Sequence, residues 1–374
     1  MKKAIVSVIN DLSTDQRVHK VCTSLHDMGF KVVLIGRRQR ASLPLDPRRY
    51  RTQRMRLVFE KGPLFYFFFQ LRLFSLLLMK KADVLVSNDL DTLLPNYLVS
   101  KIKNIPLVYD THELFCEVPE LQHSVLKKKI WKKLERFLFP KMKYVFTVND
   151  SIAGIYKQEY GVNLHVLRNL PRRHFSGLET TIKTRQELGL PEDRKIILLQ
   201  GAGINIDRGA EEAVLAMQYI DNALLVIIGS GDVIPALHRL TAKHGLKEKV
   251  HFIGRLPFQE LKAYTLTADI GLTLDKDTNI NYRYSLPNKL FDYIQAGVPV
   301  FASDLVEVRK IVEHYQVGCI TTVMDPSGMG ALLNECLNNE TRLQAWKANC
   351  LKAAEELCWE SEESVLREVY ARLV

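Results

Sequence analysis

The six cysteines of this 374-residue chain form no C-x-x-C pair and no Cys/His cluster with the spacing of a zinc site. Single scattered cysteines (Cys22, Cys116, Cys319, Cys336, Cys350, Cys358) are expected as small buried apolar groups in a reducing compartment, which excludes a disulfide scaffold. A G-x-G-x-x-G fingerprint is missing too. The first apolar run, Ala4–Ile9, leads into Asn10-Asp11-Leu12-Ser13-Thr14-Asp15 with no glycine. Gly201-Ala202-Gly203 and Gly229-Ser230-Gly231 carry Ile206 and Ile234 where the third glycine would stand. Hydride transfer with NAD therefore loses its main support. There is no Walker A lysine motif and no repeat of fixed period. No uninterrupted apolar run reaches the roughly 20 residues of a transmembrane helix. The longest, Gly62 to Met79, is interrupted by Gln70 and Arg72 and closed by Lys80-Lys81. The six apolar residues after Met1-Lys2-Lys3 are too few for a signal peptide, so a cytoplasmic chain is expected.

What is present is an ordinary globular composition, 47% hydrophobic and 25% charged, long enough for two or three domains. The net charge of +10 is unevenly placed. Residues 1–175 hold 31 Lys+Arg against 15 Asp+Glu, and residues 176–374 hold 21 against 27. The basic half raises nucleic acid or an anionic membrane as partners. It contains Lys127–Lys143, a basic amphipathic segment with Trp131, for which membrane docking and a merely solvated face stand level. Gly62–Met79 is open to two readings, a helix packed on its domain or an interfacial helix.

Short apolar runs alternate with helical patterns along the whole chain. Ala4–Ile9, Lys31–Ile35, Val84–Ser87, Leu107–Tyr109, Tyr144–Val148 and Leu164–Leu167 are expected strands of a first series. Ile196–Gln200, Ala223–Ile228, Lys249–Phe252, Ile270–Leu274 and Val298–Ala302 form a second, with helices at Ala210–Met217, Pro257–Leu266, Pro287–Ala296 and Glu307–His314. Two such series imply two doubly wound α/β domains, 1–172 and 173–357, joined near Asn169–Arg173 and followed by a terminal helix at about 358–374.

The strongest local pattern is Tyr282 to Gly297. Pro287 and Gly297 bracket a short helix with Leu290, Phe291 and Ile294 on its buried face, and Asn288, Asp292 and Gln295 on another. A helix N-terminus with a lysine in its first turn suits a diphosphate, although capping and surface charge alone would give the same pattern.

The run Ser285-Leu286-Pro287-Asn288-Lys289-Leu290-Phe291-Asp292-Tyr293, continuing to Gly297-Val298-Pro299-Val300, resembles the donor-site signature of family 4 glycosyltransferases. Leu199-Gln200-Gly201 through Arg208-Gly209, Val250 to Gly254, Asp110-Thr111-His112-Glu113 and Ser87 to Thr92 resemble other blocks of that family in the same order, as do Thr147-Val148-Asn149 and Asn169-Leu170-Pro171. The resemblance implies a GT-B fold, two Rossmann-like domains facing a cleft, and retaining transfer of a sugar from a UDP- or GDP-linked donor to an acceptor hydroxyl, in glycan or polysaccharide assembly. No metal or cofactor is implied. The donor would meet Gly201, Gly203, Asn205, Arg208, Gly254, Tyr284, Ser285, Leu286, Pro287, Asn288, Lys289 and Asp292, with His112 catalytic and Asp11, Arg17, Asn88, Asp89 and Glu113 on the acceptor side. Asp292 stands where the family has its second glutamate and Tyr284 where it has its first; Ala202 replaces a basic residue of the phosphate loop. A GT-B-like nucleotide-sugar 2-epimerase and a non-catalytic sugar-nucleotide-binding subunit are the alternatives. The basic first half then points to an anionic, lipid-linked acceptor at the inner membrane face, with nucleic acid the least favoured partner.

Overall fold

The computed structural model of the protein describes residues 1–13, 15–40, 42, 44–122, 124–173 and 183–373. The chain divides into two compact units, Met1–Asn169 with Glu362–Val374, and Leu170–Ser361. The borders expected from sequence were 172/173 and about 358.

In the first unit seven parallel strands are ordered β3-β2-β1-β4-β5-β6-β7. They are β1 (Lys3–Asp11), β2 (Lys31–Arg38), β3 (Arg51–Arg56), β4 (Val84–Asn88), β5 (Leu107–Asp110), β6 (Tyr144–Thr147) and β7 (His165–Val166). Ala4, Ile5, Val6 and Val8 of β1 are all buried, since a central parallel strand is covered on both faces. Asp15 caps α1 (Gln16–Asp27) by accepting from the Val18 N–H at 3.0 Å. Asn149 does the same for α6 (Asp150–Tyr160), which Gly161 ends in the left-handed conformation. The sequence winds outward from β1 to β3, then returns to β4 and runs to β7. Right-handed crossovers therefore place α1 on one sheet face, and α2 (Gly62–Met79), α3 (Leu90–Lys103), α5 (Val125–Leu138) and α6 on the other. The observed α2–α3 and α3–α5 contacts agree. A short helix, α4 (Pro119–Gln122), precedes α5.

The second unit has six parallel strands ordered β10-β9-β8-β11-β12-β13. These are β8 (Lys195–Gly201), β9 (Ala223–Gly229), β10 (Val250–Ile253), β11 (Ile270–Thr273), β12 (Val300–Ser303) and β13 (Gly318–Thr321). Its helices are α7 (Ala210–Ala216), α8 (Ile234–Lys243), α9 (Phe258–Thr267), α10 (Ile280–Arg283), α11 (Asn288–Gln295), α12 (Val306–Tyr315), α13 (Pro326–Asn338), α14 (Glu340–Glu356) and α15 (Trp359–Ala371). The expected strand Val298–Ala302 begins only at Val300. Gly297 turns left-handed at φ 70°, and the Gly297 and Val298 N–H groups close onto the carbonyls of Ile294 and Tyr293, so these residues cap α11. Gln295 also departs from expectation. It is buried and donates to the carbonyls of Ala354 (2.8 Å) and Leu357 (3.0 Å), tying α11 to α14 instead of facing a ligand with Asn288 and Asp292.

The later part of α15 belongs to the first unit. The Glu362 carboxylate accepts from the Arg168 backbone N–H (2.7 Å), Nε (2.8 Å) and Nη2 (2.6 Å). Tyr370 is fully buried, edge-on to Phe30 and stacked on Phe146. Removing so large a buried ring leaves a cavity, so Tyr370→Ala should cost about 3–5 kcal/mol. Urea denaturation checks this; a change below about 0.5 kcal/mol, the range of neutral surface substitutions, would show that the terminal helix is not a structural part of the unit.

Candidate active site

Both sheets reverse their strand order once, between β1 and β4 and between β8 and β11. In open α/β sheets the loops leaving the carboxyl ends diverge at such a point and leave room for a ligand. Each unit places a buried carboxylate near its reversal.

In the first unit that carboxylate is Asp110, at the end of β5. Arg17, from α1, donates to it through Nε (3.1 Å) and Nη2 (2.7 Å), and through Nη1 to the Leu167 carbonyl (2.8 Å). Burial opposes ionisation of Asp110, but Arg17 and then His112 hold its carboxyl below the usual range. His112 follows two residues later, 19% exposed. Its backbone N–H donates to Asp89 Oδ1 (3.1 Å), its Nδ1 lies 2.7 Å from Asp89 Oδ2, and its Nε2 lies 3.8 Å from Asp110. Burial works against a charged imidazole here. The carboxylates of Asp89 and Asp110 outweigh it and push the His112 pKa up to about 9. His112 is therefore an imidazolium at neutral pH, a hydrogen-bond donor and a positive charge, and not a free base.

Asp89 reaches His112 from a strained backbone. Its φ of 57° and ψ of 169° lie in a region nearly reserved for glycine, at a cost of about 1–3 kcal/mol. The Asp89 N–H donates to the Asp110 carbonyl at 2.9 Å, extending the β4–β5 pairing through the strained residue. Asp91, in the first turn of α3, is buried; burial and then the neighbouring Asp89 charge raise its pKa well above the usual carboxylate value.

Arg17, Asn88, Asp11 and Glu113 all make contacts within the first unit. Arg17 is 4% exposed and holds Asp110, and Asn88 is fully buried and donates to the Ser7 carbonyl (2.9 Å). Neither side chain has a solvent face to offer an acceptor; both join elements of the sheet. Asp11 is paired with Arg54 of β3 at 2.8 Å, and Thr14 of the same turn lies outside the described residues. Glu113 is half-buried, its carbonyl accepting from Thr111 Oγ1 and Tyr156 OH.

In the second unit the buried carboxylate is Asp275, two residues past β11 and 1% exposed. Arg208 Nη1 donates to its Oδ2 (3.3 Å), and Lys289 Nζ stands 4.0 Å from its Oδ1, an atom with no hydrogen bond. Burial lowers the Lys289 pKa; Asp275 opposes this and Arg208 reinforces it. Two cations thus share one carboxylate. Lys289 lies in the first turn of α11, whose N-terminus follows Pro287 and has no side-chain cap. Asn288 is exposed there, Ser285 Oγ is buried without a hydrogen bond, and Leu286 is half-buried against the core. One turn deeper Asp292 accepts from Gln200 Nε2 (3.4 Å). Tyr284 is half-buried at the end of α10.

The loop after β8 is set by the turn after β9. The Ile204 N–H donates to the Ser230 carbonyl (2.9 Å), and Asn205 Oδ1 accepts from the Asp232 N–H (3.2 Å). A Cβ on Gly229 would lie 1.8 Å from the Gly201 oxygen, and one on Gly231 would lie 1.9 Å from the Ile204 oxygen. Those two positions require glycine. Gly201, Gly203 and Gly254 have room for a side chain, so close packing is not what selects glycine there. Sequence reasoning missed Asp275 and Asp91. An acid directly after the apolar run Ile270–Leu274 was the available signal for Asp275.

Two doubly wound parallel-sheet units, each reversing its strand order once, define the class of fold: GT-B. Residues 15–170 match the model of "Glycosyltransferase Family 4" and residues 180–353 that of "Glycosyl transferases group 1", and the chain belongs to family 4. It is 26% identical over 286 residues to a chitobiosyldiphosphodolichol beta-mannosyltransferase of Debaryomyces hansenii, covering 68% of this chain and 60% of that protein. The matches span between 34% and 60% of the length of the curated relatives. Among solved structures, sucrose-phosphate synthase from Thermosynechococcus elongatus superposes with a TM-score of 0.81 at 15% identity, covering 100% of this chain and 99% of the other. HepE from Anabaena, in complex with UDP and glucose, superposes with a TM-score of 0.75 at 14% identity over the whole of both chains.

The His112–Asp89 pair makes a prediction with a defined sign. A histidine whose pKa rises from 6.5 to about 9 on folding stabilises the native state fully below pH 6.5, and this is lost as pH rises through about 9. The difference corresponds to about 3 kcal/mol. Asp89→Asn keeps a residue that tolerates positive φ but removes the charge, so the His112 imidazole should titrate at least one unit lower by NMR. An unchanged midpoint would show that Asp89 does not set the charge of His112.

Proposed function

We propose that the protein transfers a sugar from a UDP- or GDP-linked donor to an acceptor hydroxyl with retention of anomeric configuration. The observation that carries this reading is the Arg208–Asp275–Lys289 group beside the uncapped start of α11, with one positive charge in excess. A diphosphate supplies the missing negative charge, and its oxygens accept from the guanidinium, the ammonium and the first-turn amides. These groups would do what a divalent cation does elsewhere, so transfer is proposed to be metal-independent. HepE in its complex with UDP and glucose supports a uridine diphosphate donor by likeness of fold alone.

In this mechanism the bond between the anomeric carbon and the β-phosphate oxygen breaks while the acceptor oxygen bonds the same carbon on the same face. The acceptor proton passes to the departing phosphate oxygen. Arg208 and Lys289 stabilise the charge that develops on the diphosphate. Asp292 is proposed to accept from the ribose, and His112, as a cation, to donate to the sugar. Tyr284 replaces a carboxylate at the sugar end, so a hydroxyl donor is proposed to take part in sugar choice. The acceptor is proposed to be anionic and lipid-linked, as in glycan or polysaccharide assembly at the inner face of the membrane.

Arg208→Ala and Lys289→Ala should each reduce nucleoside diphosphate release by about 10²–10³-fold. Assays with UDP- and GDP-sugars, with and without acceptor, measure this while melting temperatures confirm folding. Turnover at the wild-type rate in either folded variant would remove these side chains from the donor site.

A further inference from the structure

Apart from this ionic chemistry, the first unit carries an unusual outer face. α2 buries one stripe, Phe65, Phe69, Leu73 and Leu77, against its own unit. Opposite it runs a second apolar stripe at the same helical spacing, Leu64, Phe67, Leu71 and Leu78, joined by Phe68, all of them exposed. Leu64, Phe67 and Leu71 are 53%, 60% and 52% exposed. Of the polar residues in this helix, Ser75 donates to the Leu71 carbonyl of its own turn (2.9 Å), and Gln70 and Arg72 turn aside. Gln70 donates to the Asp91 carbonyl at 2.5 Å, and Arg72 donates to the Arg56 carbonyl.

α5 is built inside out. Its buried positions include Glu135, which accepts from Lys132 (2.7 Å) and Tyr160 (2.6 Å), while Leu126, Ile130 and Phe137 lie exposed. Lys128 and Lys132 are drawn inward to Glu117 and to Glu135 and Glu159. Lys127, Lys129 and Lys133 are exposed, and among the described residues none forms an ion pair with them. Tyr66 of α2 meets Trp131 of α5 edge-on at 5.4 Å, so the two helices are neighbours on one sheet face. Trp131 is half-buried in this seam, against both Tyr66 and Phe115, and is not the exposed anchor that the amphipathic pattern suggested.

We propose that this face docks on an anionic lipid bilayer, α2 lying flat with its outer stripe at the boundary of headgroups and acyl chains and the α5 lysines at lipid phosphates. Charge complementarity selects this occupant. The first unit carries 31 Lys+Arg against 18 Asp+Glu, and unpaired lysines border an apolar stripe whose helix ends at Lys61 and Lys80-Lys81. A second copy would oppose lysines to lysines. The inner stripe of α2 is packed on its own unit, so the helix lies on the bilayer and does not cross it, although its 18 residues approach the spanning length. This docking rests on the lipid-linked acceptor reading for its purpose, but not for its test.

Co-sedimentation with vesicles of phosphatidylglycerol and phosphatidylcholine, against vesicles of phosphatidylcholine alone, decides it. Binding should be confined to the anionic vesicles and fall with salt. Replacing Lys127, Lys129 and Lys133 together by Ala should weaken it about a hundredfold. Phe67→Ser with Leu71→Ser should weaken it at least tenfold. Equal binding to neutral vesicles, or none to anionic ones at low salt, overturns the proposal. So does self-association that those serines abolish in a protein indifferent to vesicles, since a second copy would then be the occupant. The melting shift caused by UDP- or GDP-sugar is read in the same samples. Its presence without vesicle binding overturns docking alone, and vesicle binding without any shift overturns the donor reading alone.

Discussion

A charge taken out of water must be paired, and the arrangement of this protein's site residues follows from that constraint. Asp110 and Asp275 are almost wholly buried, and each draws in cations from separate elements of its unit. Around Asp110 the signs balance, Arg17 and His112 against Asp110 and Asp89, and the outcome is a histidine fixed in its charged form. Around Asp275 they do not. Arg208 and Lys289 both face the one Asp275 carboxylate, and this is the arrangement we propose for holding the donor diphosphate.

The sequence makes the central β-strands legible and also the edge strands β7 and β10, but it hides the edge strands β3 and β13. β1, β4 and β8 are apolar almost throughout because both their faces are covered. β3, with four charged or polar residues among Arg51 to Gln53 and Arg54, pairs only with β2 and buries only Met55, so nothing apolar marks it. β13 is likewise an edge strand. It begins at Gly318, where a Cβ would lie 1.9 Å from the Val300 oxygen, so the close approach of the two strands requires glycine there.

Site residues divide in the same way. Lys289, Arg208 and Asp292 sit in linear patterns local to one helix or loop, which is why the sequence singles them out as candidates. Asp275 was missed because its role exists only once β11 lies beside β8. Arg17 and Asn88 were assigned outward roles because residue type says nothing about burial. Asp89 was named on the acceptor side, yet its contact with His112 depends on a backbone angle that no residue type announces. The two exposed stripes on α2 and α5 had a related ambiguity. A helix apolar on every side gives no sequence clue to which face is buried, and only packing shows which stripe of α2 is covered and that α2 meets α5 through Tyr66 and Trp131.

The central proposal is that the Arg208–Asp275–Lys289 group of the second unit binds a diphosphate. Calorimetric titration with UDP and GDP, each against its own monophosphate and nucleoside, tests it most directly. The account predicts that one diphosphate binds at least tenfold more tightly than its monophosphate, with an affinity that falls as salt is added. Equal affinity for nucleoside, monophosphate and diphosphate would contradict it, because the cluster around Asp275 would then contribute nothing to recognition.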